Sequence, residues 1–222
     1  MFRRRQRADA DETPDEALDA ADIDDLTDFD EVDDEDAADA SVEGPWDSDD
    51  LPEDGLDRVD LGSLRIAPIE GTELQLQVDE QTGEVQAAML ASPDGALELR
   101  AFAAPRHGDL WTEVRPQIAA DVAQHGGTAT ERDGRWGVEL LCQMQVAAPD
   151  GSRQIQPSRI VGINGGRWLL RATFLGRPAV EPEESQAWED ALAAVVVHRG
   201  SHAMPAGDAL PLVLPPDVQR QS

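Results

Sequence analysis

The chain lacks tyrosine and lysine altogether, and its 222 residues include only one cysteine, Cys142. A single cysteine cannot form an intramolecular disulfide, and the apolar residues around it predict a small buried side chain. No apolar run comes close to the roughly 18 residues that a membrane-spanning helix requires. The basic start from Arg3 to Arg7 has no apolar segment behind it and is not predicted to be a secretory signal. These absences predict a cytoplasmic protein that does not insert into a membrane.

The scarcity of basic residues also narrows the function. The chain has 18 arginines and 46 acidic residues, so its formal net charge is −28. Duplex nucleic acid is bound largely by neutralising its phosphates with cations, and it is therefore not an expected partner. The excess of negative charge instead favours solubility and repels other anionic surfaces.

Charge divides the chain into an arm and a domain. Residues 1–60 carry 25 acidic residues against 5 arginines, with few bulky apolar side chains. Such a segment cannot bury enough apolar surface to offset its chain entropy. We therefore predict a disordered acidic arm over residues 1–60, a folded domain over residues 61–200 and an extended, proline-rich tail over residues 201–222.

Some apolar residues recur within the arm. Ile23, Leu26 and Phe29 are spaced by three, and Trp46 follows later. Acidic-hydrophobic alternation is typical of segments that fold on the groove of a partner. One interpretation is a docking or tether segment for a protein partner, and the other is a solubilising tail with incidental apolar residues. The aspartate clusters lack the spacing of a calcium-binding loop.

The domain alternates between strand and helix patterns. Leu74, Leu76 and Val78 alternate with polar neighbours, which is typical of a half-buried strand. The same reasoning, with turn residues as boundaries, predicts strands at 61–69, 72–78, 85–91, 97–103, 128–132, 136–147, 154–163 and 168–175.

Two segments have helical spacing. The first spans residues 110–124, but Pro116 interrupts it, which predicts a kink or a helix that starts near Arg115. The second opens at Pro182 and is stopped by Gly200.

The two halves of the domain resemble each other. At an offset of 71 residues, Leu97–Ala101 aligns with Trp168–Ala172, and the helices align at an offset of 77. The Pro-Asp-Gly turns at 93–95 and 149–151 support a competing register. The order of elements predicts an α+β fold, in which an antiparallel sheet carries two packed helices. This order is compatible with two pseudo-repeated ββββα halves.

No motif for catalysis or metal binding stands out. The chain has no nucleophile-elbow, zinc-protease or phosphate-loop pattern. His198 and His202 are four residues apart, but Gly200 between them breaks a shared helix face, and zinc needs more ligands than two. We therefore predict no catalytic residue, no metal site and no cofactor.

Arg100 and Arg171 are the charges that need an explanation. Each lies on an apolar strand beside alanine and leucine. A buried arginine requires a carboxylate or carbonyl partner. One interpretation is that both are paired structurally or lie at a sheet edge. The other is that they form a site for an anion or for the carboxylate of a peptide.

Several motifs resemble those of a known family. Residues 134–140 (Gly-Arg-Trp-Gly-Val-Glu-Leu) and 165–171 (Gly-Gly-Arg-Trp-Leu-Leu-Arg) resemble an uncharacterised actinobacterial family, as do Leu97–Pro105 and Leu110–Val114. The resemblance spans roughly residues 58–216. It implies a cytoplasmic bacterial protein with a domain of unknown function, and neither a reaction nor agreed catalytic residues. The chain departs from the family pattern at Pro116 and Arg135.

These observations favour a non-enzymatic domain that acts through a protein partner, with the acidic arm as docking or tether segment. The alternative is a domain that binds a small molecule or an anion through the core-facing Arg100 and Arg171. An enzyme is the third and least favoured hypothesis.

Overall fold

The computed structural model describes residues 44–147 and 151–214. The predicted arm up to residue 43, with Ile23, Leu26 and Phe29, and the last residues of the predicted tail therefore lie outside the described residues. The elements are β1 (Trp46–Asp47), β2 (Val59–Asp60), β3 (Leu64–Ile66), β4 (Glu73–Val78), β5 (Val85–Ala91), β6 (Gly95–Ala103), α1 (Leu110–Gln124), β7 (Thr128–Gly134), β8 (Gly137–Ala147), β9 (Arg153–Asn164), β10 (Trp168–Gly176), α2 (Arg177–Val180), α3 (Pro182–Ala193) and β11 (Val196–Val197).

The strands form a larger and a smaller sheet. The larger sheet has the order β4-β5-β6-β10-β9-β8-β7, and its neighbouring strands are antiparallel. The smaller sheet has the order β1-β11-β3-β2 and contributes Leu64, Ile66 and Val197 to the same apolar core. The predicted α+β fold with an antiparallel sheet is confirmed.

The central strands β6 and β10 pair in a register that is consistent with the predicted repeat. Arg100 lies opposite Arg171, and Ala101 lies opposite Leu170. The same offset of 71 residues aligns the two strands in the sequence, so a local two-fold axis would pass between the arginines. The first strand of the proposed repeat, β3, departs from this symmetry because it belongs to the smaller sheet.

The helices α1 and α3 pack on opposite faces of the larger sheet. Successive side chains of a strand point to opposite faces, and Leu169 and Leu170 accordingly belong to different apolar clusters. Trp188 and Leu192 of α3 share a cluster with Leu170, whereas Trp111 of α1 shares one with Leu169. The sheet is thus buried from both sides, which explains why its central strands are nearly continuous apolar runs.

Helix α1 begins at Leu110 rather than near Arg115 and continues through Pro116. The Asp109 carboxylate accepts a hydrogen bond from the backbone N–H of Thr112 at 3.0 Å. This cap satisfies one of the amides that a helix start leaves without an intrahelical partner. The capped turn therefore stabilises the segment that precedes the proline.

The second helix is shorter than the sequence predicts. Helix α3 ends at Ala193, and Val196 and Val197 form β11 instead of continuing to Gly200. The sequence pattern indicates helix because the valines extend the apolar stripe of α3. Their strand conformation depends on partners far away in the sequence, β1 on one side and β3 on the other. The short helix α2 was not predicted at all.

The fold begins earlier than the predicted end of the arm at residue 60. The backbone N–H of Trp46 donates to the Val195 carbonyl at 2.8 Å, and Arg58 Nε donates to the Ala194 carbonyl at 2.8 Å. Composition predicts disorder here because acidic residues dominate the segment. These contacts with the end of α3 hold residues 44–60 in place. Composition carries no information about such contacts.

The described part of the proline-rich tail, residues 201–214, runs along the domain. The backbone N–H of Leu210 donates to the Ala101 carbonyl at 2.8 Å, and the Leu210 side chain is buried. Leu212 forms isolated bridges with Gly62 and Val85. The tail therefore reaches the centre of the larger sheet at β6.

Trp111 of α1 lies directly on Gly162 of β9. Its Nε1 donates to the Val138 carbonyl at 2.6 Å, and its backbone N–H donates to Asn164 Oδ1 at 3.2 Å. A Cβ at position 162 would penetrate the Trp111 ring. The close approach of the helix, and not a turn, therefore requires this glycine.

A buried ion network joins β8, β9 and α3. Arg159 is 5% exposed, and its Nη1 lies 3.2 Å from Glu139 Oε2 and 2.6 Å from Glu189 Oε1. Glu139 also pairs with Arg132, and Glu189 accepts a hydrogen bond from Trp136 Nε1 at 2.7 Å. Each buried charge in this network is therefore compensated by a neighbour.

We expect Gly162→Ala to lower the free energy of unfolding by about 1–3 kcal/mol, because the new methyl group displaces Trp111. Gly166→Ala on the same hairpin is the matched control, since a Cβ there meets nothing within 4 Å. The control should stay within about 0.5 kcal/mol of the parent chain. Urea denaturation followed by tryptophan fluorescence measures both, and equal stabilities would contradict the close contact.

We expect Arg159→Leu to lower the free energy of unfolding by about 3–5 kcal/mol, because it leaves Glu139 and Glu189 without their shared cation. Arg153→Leu at the exposed start of the same strand should change it by no more than about 0.5 kcal/mol. Chemical denaturation of the two variants side by side provides the comparison. A loss no greater than that of the control would show that the network does not stabilise the fold.

Candidate functional site

Arg100 and Arg171 lie side by side on the face of the larger sheet that also carries α1. They are direct partners in the β6–β10 register, at the centre of the sheet. Phe102 packs beside them, with its ring centre 5.9 Å from the Arg100 guanidinium and 5.5 Å from that of Arg171. The fold therefore brings the two candidate arginines from the sequence together. We call them the arginine pair.

The arginine pair is only partly compensated by its neighbours. Arg171 Nη2 lies 3.7 Å from Glu98 Oε1, and Arg100 Nη2 donates to Gln86 Oε1 at 3.0 Å. The Nε atoms of both arginines are buried and have no hydrogen-bond partner within the described part of the chain. One carboxylate thus stands beside two positive charges and pairs only with Arg171, and both arginines retain an unused donor.

The surroundings of Arg171 disfavour its charged form. Burial lowers the pKa of Arg171 from its ordinary value, and the neighbouring charge of Arg100 lowers it further. The carboxylate of Glu98 acts in the opposite direction and raises this pKa. A second anion beside Arg171 would act as Glu98 does, by favouring the charged guanidinium.

A cavity of about 340 Å³ lies between α1 and the sheet, and we call it the helix cavity. Arg171 lines it together with Phe102 and Leu169, whereas Arg100 is not part of its wall. Its volume is within the range of about 300–1,000 Å³ that is usual for small-molecule sites. The other lining residues are Leu110, Val114, Gln117, Ile118, Asp121 and Gly207.

A larger cavity, of about 600 Å³, lies beside the turn between β9 and β10, and we call it the turn cavity. Ser48 Oγ and His198 Nδ1 are hydrogen-bonded at 2.8 Å in its wall. Sequence reasoning missed this site because its residues come from separate loops. The remaining lining residues are Asp47, Asp49, Asp50, Arg106, His107, Gly166, Arg167, Arg199, Gly200 and Ser201.

The other candidates from the sequence are the docking residues of the predicted arm and the two histidines that are four residues apart. Trp46 lies in β1 and is half-buried, so its backbone is engaged by the fold rather than extended in an arm. Ile23, Leu26 and Phe29 lie outside the described residues. His198 lines the turn cavity, whereas His202 is exposed and does not line it.

Cys142 is buried on β8, as its apolar neighbours predict. Burial raises the pKa of its thiol, and a hydrogen bond with Ser158 opposes this effect. A thiol with a raised pKa is a poor nucleophile.

In residues 44–147 and 151–214, no group of three or more His, Cys, Asp or Glu side chains is arranged to hold a metal ion. No described helix combines the length and the apolar character that a membrane span requires.

The solved structures that are similar to this chain include the following two. A protein from Bacteroides thetaiotaomicron VPI-5482 has 11% sequence identity and a TM-score of 0.39, over 64% of this chain and 48% of that one, so the chain spans about half its length. Cyanobacterial PsbP (CyanoP) from Synechocystis sp. PCC 6803 has 14% identity and a TM-score of 0.36, over 70% of this chain and 100% of that one. A search of the curated proteins finds no match.

A protein family matches residues 44–221 and carries the description "Protein of unknown function (DUF3710)". The match begins at Gly44, the first residue that the structure describes, and it includes the arginine pair and the linings of both cavities. The predicted resemblance to a family with a domain of unknown function is confirmed. The chain belongs to this family of proteins of unknown function.

Proposed function

We propose that the domain is a non-enzymatic binding module that takes a small apolar monocarboxylate into the helix cavity. The observation that carries the proposal is the position of Arg171, a partly buried cation in the wall of an otherwise largely apolar space. A carboxylate against Arg171 would supply the charge that the arginine pair lacks. Arginine presents parallel N–H donors that match the two oxygens of a carboxylate.

The charges around Arg171 support an anionic group on the ligand. Arg100 and Arg171 contribute two positive charges, and Glu98 contributes one negative charge at 3.7 Å from Arg171. Gln86 satisfies part of Arg100 but brings no charge. Because a charge in low dielectric is costly without a partner, an anion bound here would be stabilised more than one at the surface.

The walls of the cavity support an apolar body. Leu110, Val114 and Ile118 project from α1, and Leu169 and Phe102 from the sheet. Asp121, an exposed residue of α1, also lines the cavity and disfavours a second negative charge. The combination of one cation, apolar walls and a peripheral carboxylate selects an alkyl or aromatic monocarboxylate.

Two further parts of the proposal rest on the sequence. Docking of a protein partner by Ile23, Leu26 and Phe29 in the acidic arm remains a prediction from their spacing. A cytoplasmic location and the absence of catalysis are also retained as parts of the proposal.

Calorimetric titration of the full chain with octanoate and with octanol tests the binding. We expect saturable binding of octanoate and weaker binding of octanol, which cannot pair with Arg171. Arg171→Met should weaken octanoate about tenfold, because a charged hydrogen bond contributes about 1.5–3 kcal/mol. Val114→Phe should weaken both ligands by filling the cavity.

Arg153→Met is the control, since Arg153 is exposed and lies outside the helix cavity. It should bind octanoate as the parent chain does. Equal affinity for acid and alcohol would contradict the role of Arg171, and an unchanged affinity in Val114→Phe would place the ligand elsewhere.

A further inference from the structure

Arginines without a carboxylate partner converge on the turn cavity. Within the described ranges, the arginines with no carboxylate oxygen within 4.0 Å are Arg100, Arg106, Arg153, Arg167 and Arg199. Three of these, Arg106, Arg167 and Arg199, line the turn cavity. In a chain of net charge −28, most described arginines have an acidic neighbour, so three without an ion pair around one space are distinctive.

The contacts of these arginines orient them without neutralising them. Arg167 Nη2 donates to the Gly200 carbonyl at 3.4 Å, and Arg199 Nη1 donates to the His202 carbonyl at 3.0 Å. Arg199 Nε is buried and has no hydrogen-bond partner among the described residues. Carbonyl groups are neutral acceptors, so the full positive charge of each guanidinium remains available to a ligand.

The acidic residues of the cavity form no ion pair with these arginines, because none of their carboxylate oxygens lies within 4.0 Å of a guanidinium nitrogen. Asp47 is engaged, because its Oδ2 accepts from Trp168 Nε1 at 2.9 Å and its Oδ1 accepts from the backbone N–H of Asp49 at 3.2 Å. Asp49 and Asp50 are exposed, as are Arg106 and Arg167, so water and salt screen the charges of both signs. The two aspartates would repel an extended polyanion. They leave room for a single anionic group beside Arg106, Arg167 and Arg199.

Other polar groups of the cavity can complete the coordination of such a group. Ser48 and His198 lie together in the wall. His107 has a φ of 55°, a left-handed conformation that is uncommon for a residue with a side chain. Its backbone N–H donates to the Gly166 carbonyl at 3.2 Å, which ties it to the turn. Backbone strain of this kind is found preferentially at binding sites.

We propose that the turn cavity binds the phosphate group of a small phosphorylated molecule. Three guanidinium groups from separate loops, those of Arg106, Arg167 and Arg199, can engage the several oxygens of a phosphate from different sides. A carboxylate has two oxygens and would occupy one guanidinium. The volume of about 600 Å³ leaves space for an organic group beyond the phosphate. This site is separate from the helix cavity, and either proposal can fail without the other.

Titration of the full chain with glycerol phosphate, inorganic phosphate and acetate at constant ionic strength tests the proposal. Calorimetry should give one saturable site for the phosphate compounds, and acetate should not compete. Arg167→Gln and Arg199→Gln should each weaken phosphate binding about tenfold, as expected for the loss of a charged hydrogen bond. Arg153→Gln is the matched control and should leave the affinity unchanged.

The outcomes separate the sources of the ligand. Tighter binding of glycerol phosphate than of inorganic phosphate assigns the site to a phosphorylated molecule, and equal affinities assign it to the free ion. If Arg199→Gln impairs folding, Arg106→Gln replaces it, because Arg106 is exposed and makes no hydrogen bond within residues 44–147 and 151–214. No saturation up to about 10 mM, equal binding of acetate, or equal weakening in Arg153→Gln would overturn the proposal.

Discussion

The antiparallel pairing of β6 with β10 is the contact on which the rest of the domain depends. It joins the first half of the chain to the second at the centre of the larger sheet. The pairing aligns the two faces of β6 and β10, to which Leu170 and Leu169 point in opposite directions, and α3 covers one face and α1 the other. It also brings Arg100 against Arg171. A slip of one residue would exchange the two faces and would expose both helix-packing surfaces.

Burial from both sides makes every charge on the central strands costly, and the fold meets this cost in different ways. Arg159 is enclosed by Glu139 and Glu189, so its environment is close to neutral. Arg171 pairs with one carboxylate, that of Glu98, and borders a cavity instead of a second acid. The first arrangement is that of a structural ion pair. The second leaves a charge for which a ligand is the simplest complement.

Local sequence pattern was sufficient to predict the secondary structure of segments that are bounded by turn residues. The strand at Val85–Ala91 has the predicted bounds, and α1 ends at Gln124 as predicted, although its start before Pro116 was left open. The end of α3 could not be predicted, because Val196 and Val197 suit a helix stripe and a strand equally well. Trp46 was assigned to a disordered arm because acidic composition outweighs a single aromatic residue in a local window.

The α+β class and the resemblance to an uncharacterised family could be predicted from the sequence, since they follow from periodicity, turn chemistry and short motifs. The folded state of residues 44–60 and the position of the helices on opposite faces of the sheet could be seen only in the three-dimensional structure. The tertiary structure alone brought Arg106, Arg167 and Arg199 to one cavity. These features depend on contacts between residues far apart in the chain. Local sequence pattern does not specify which distant segments will be in contact.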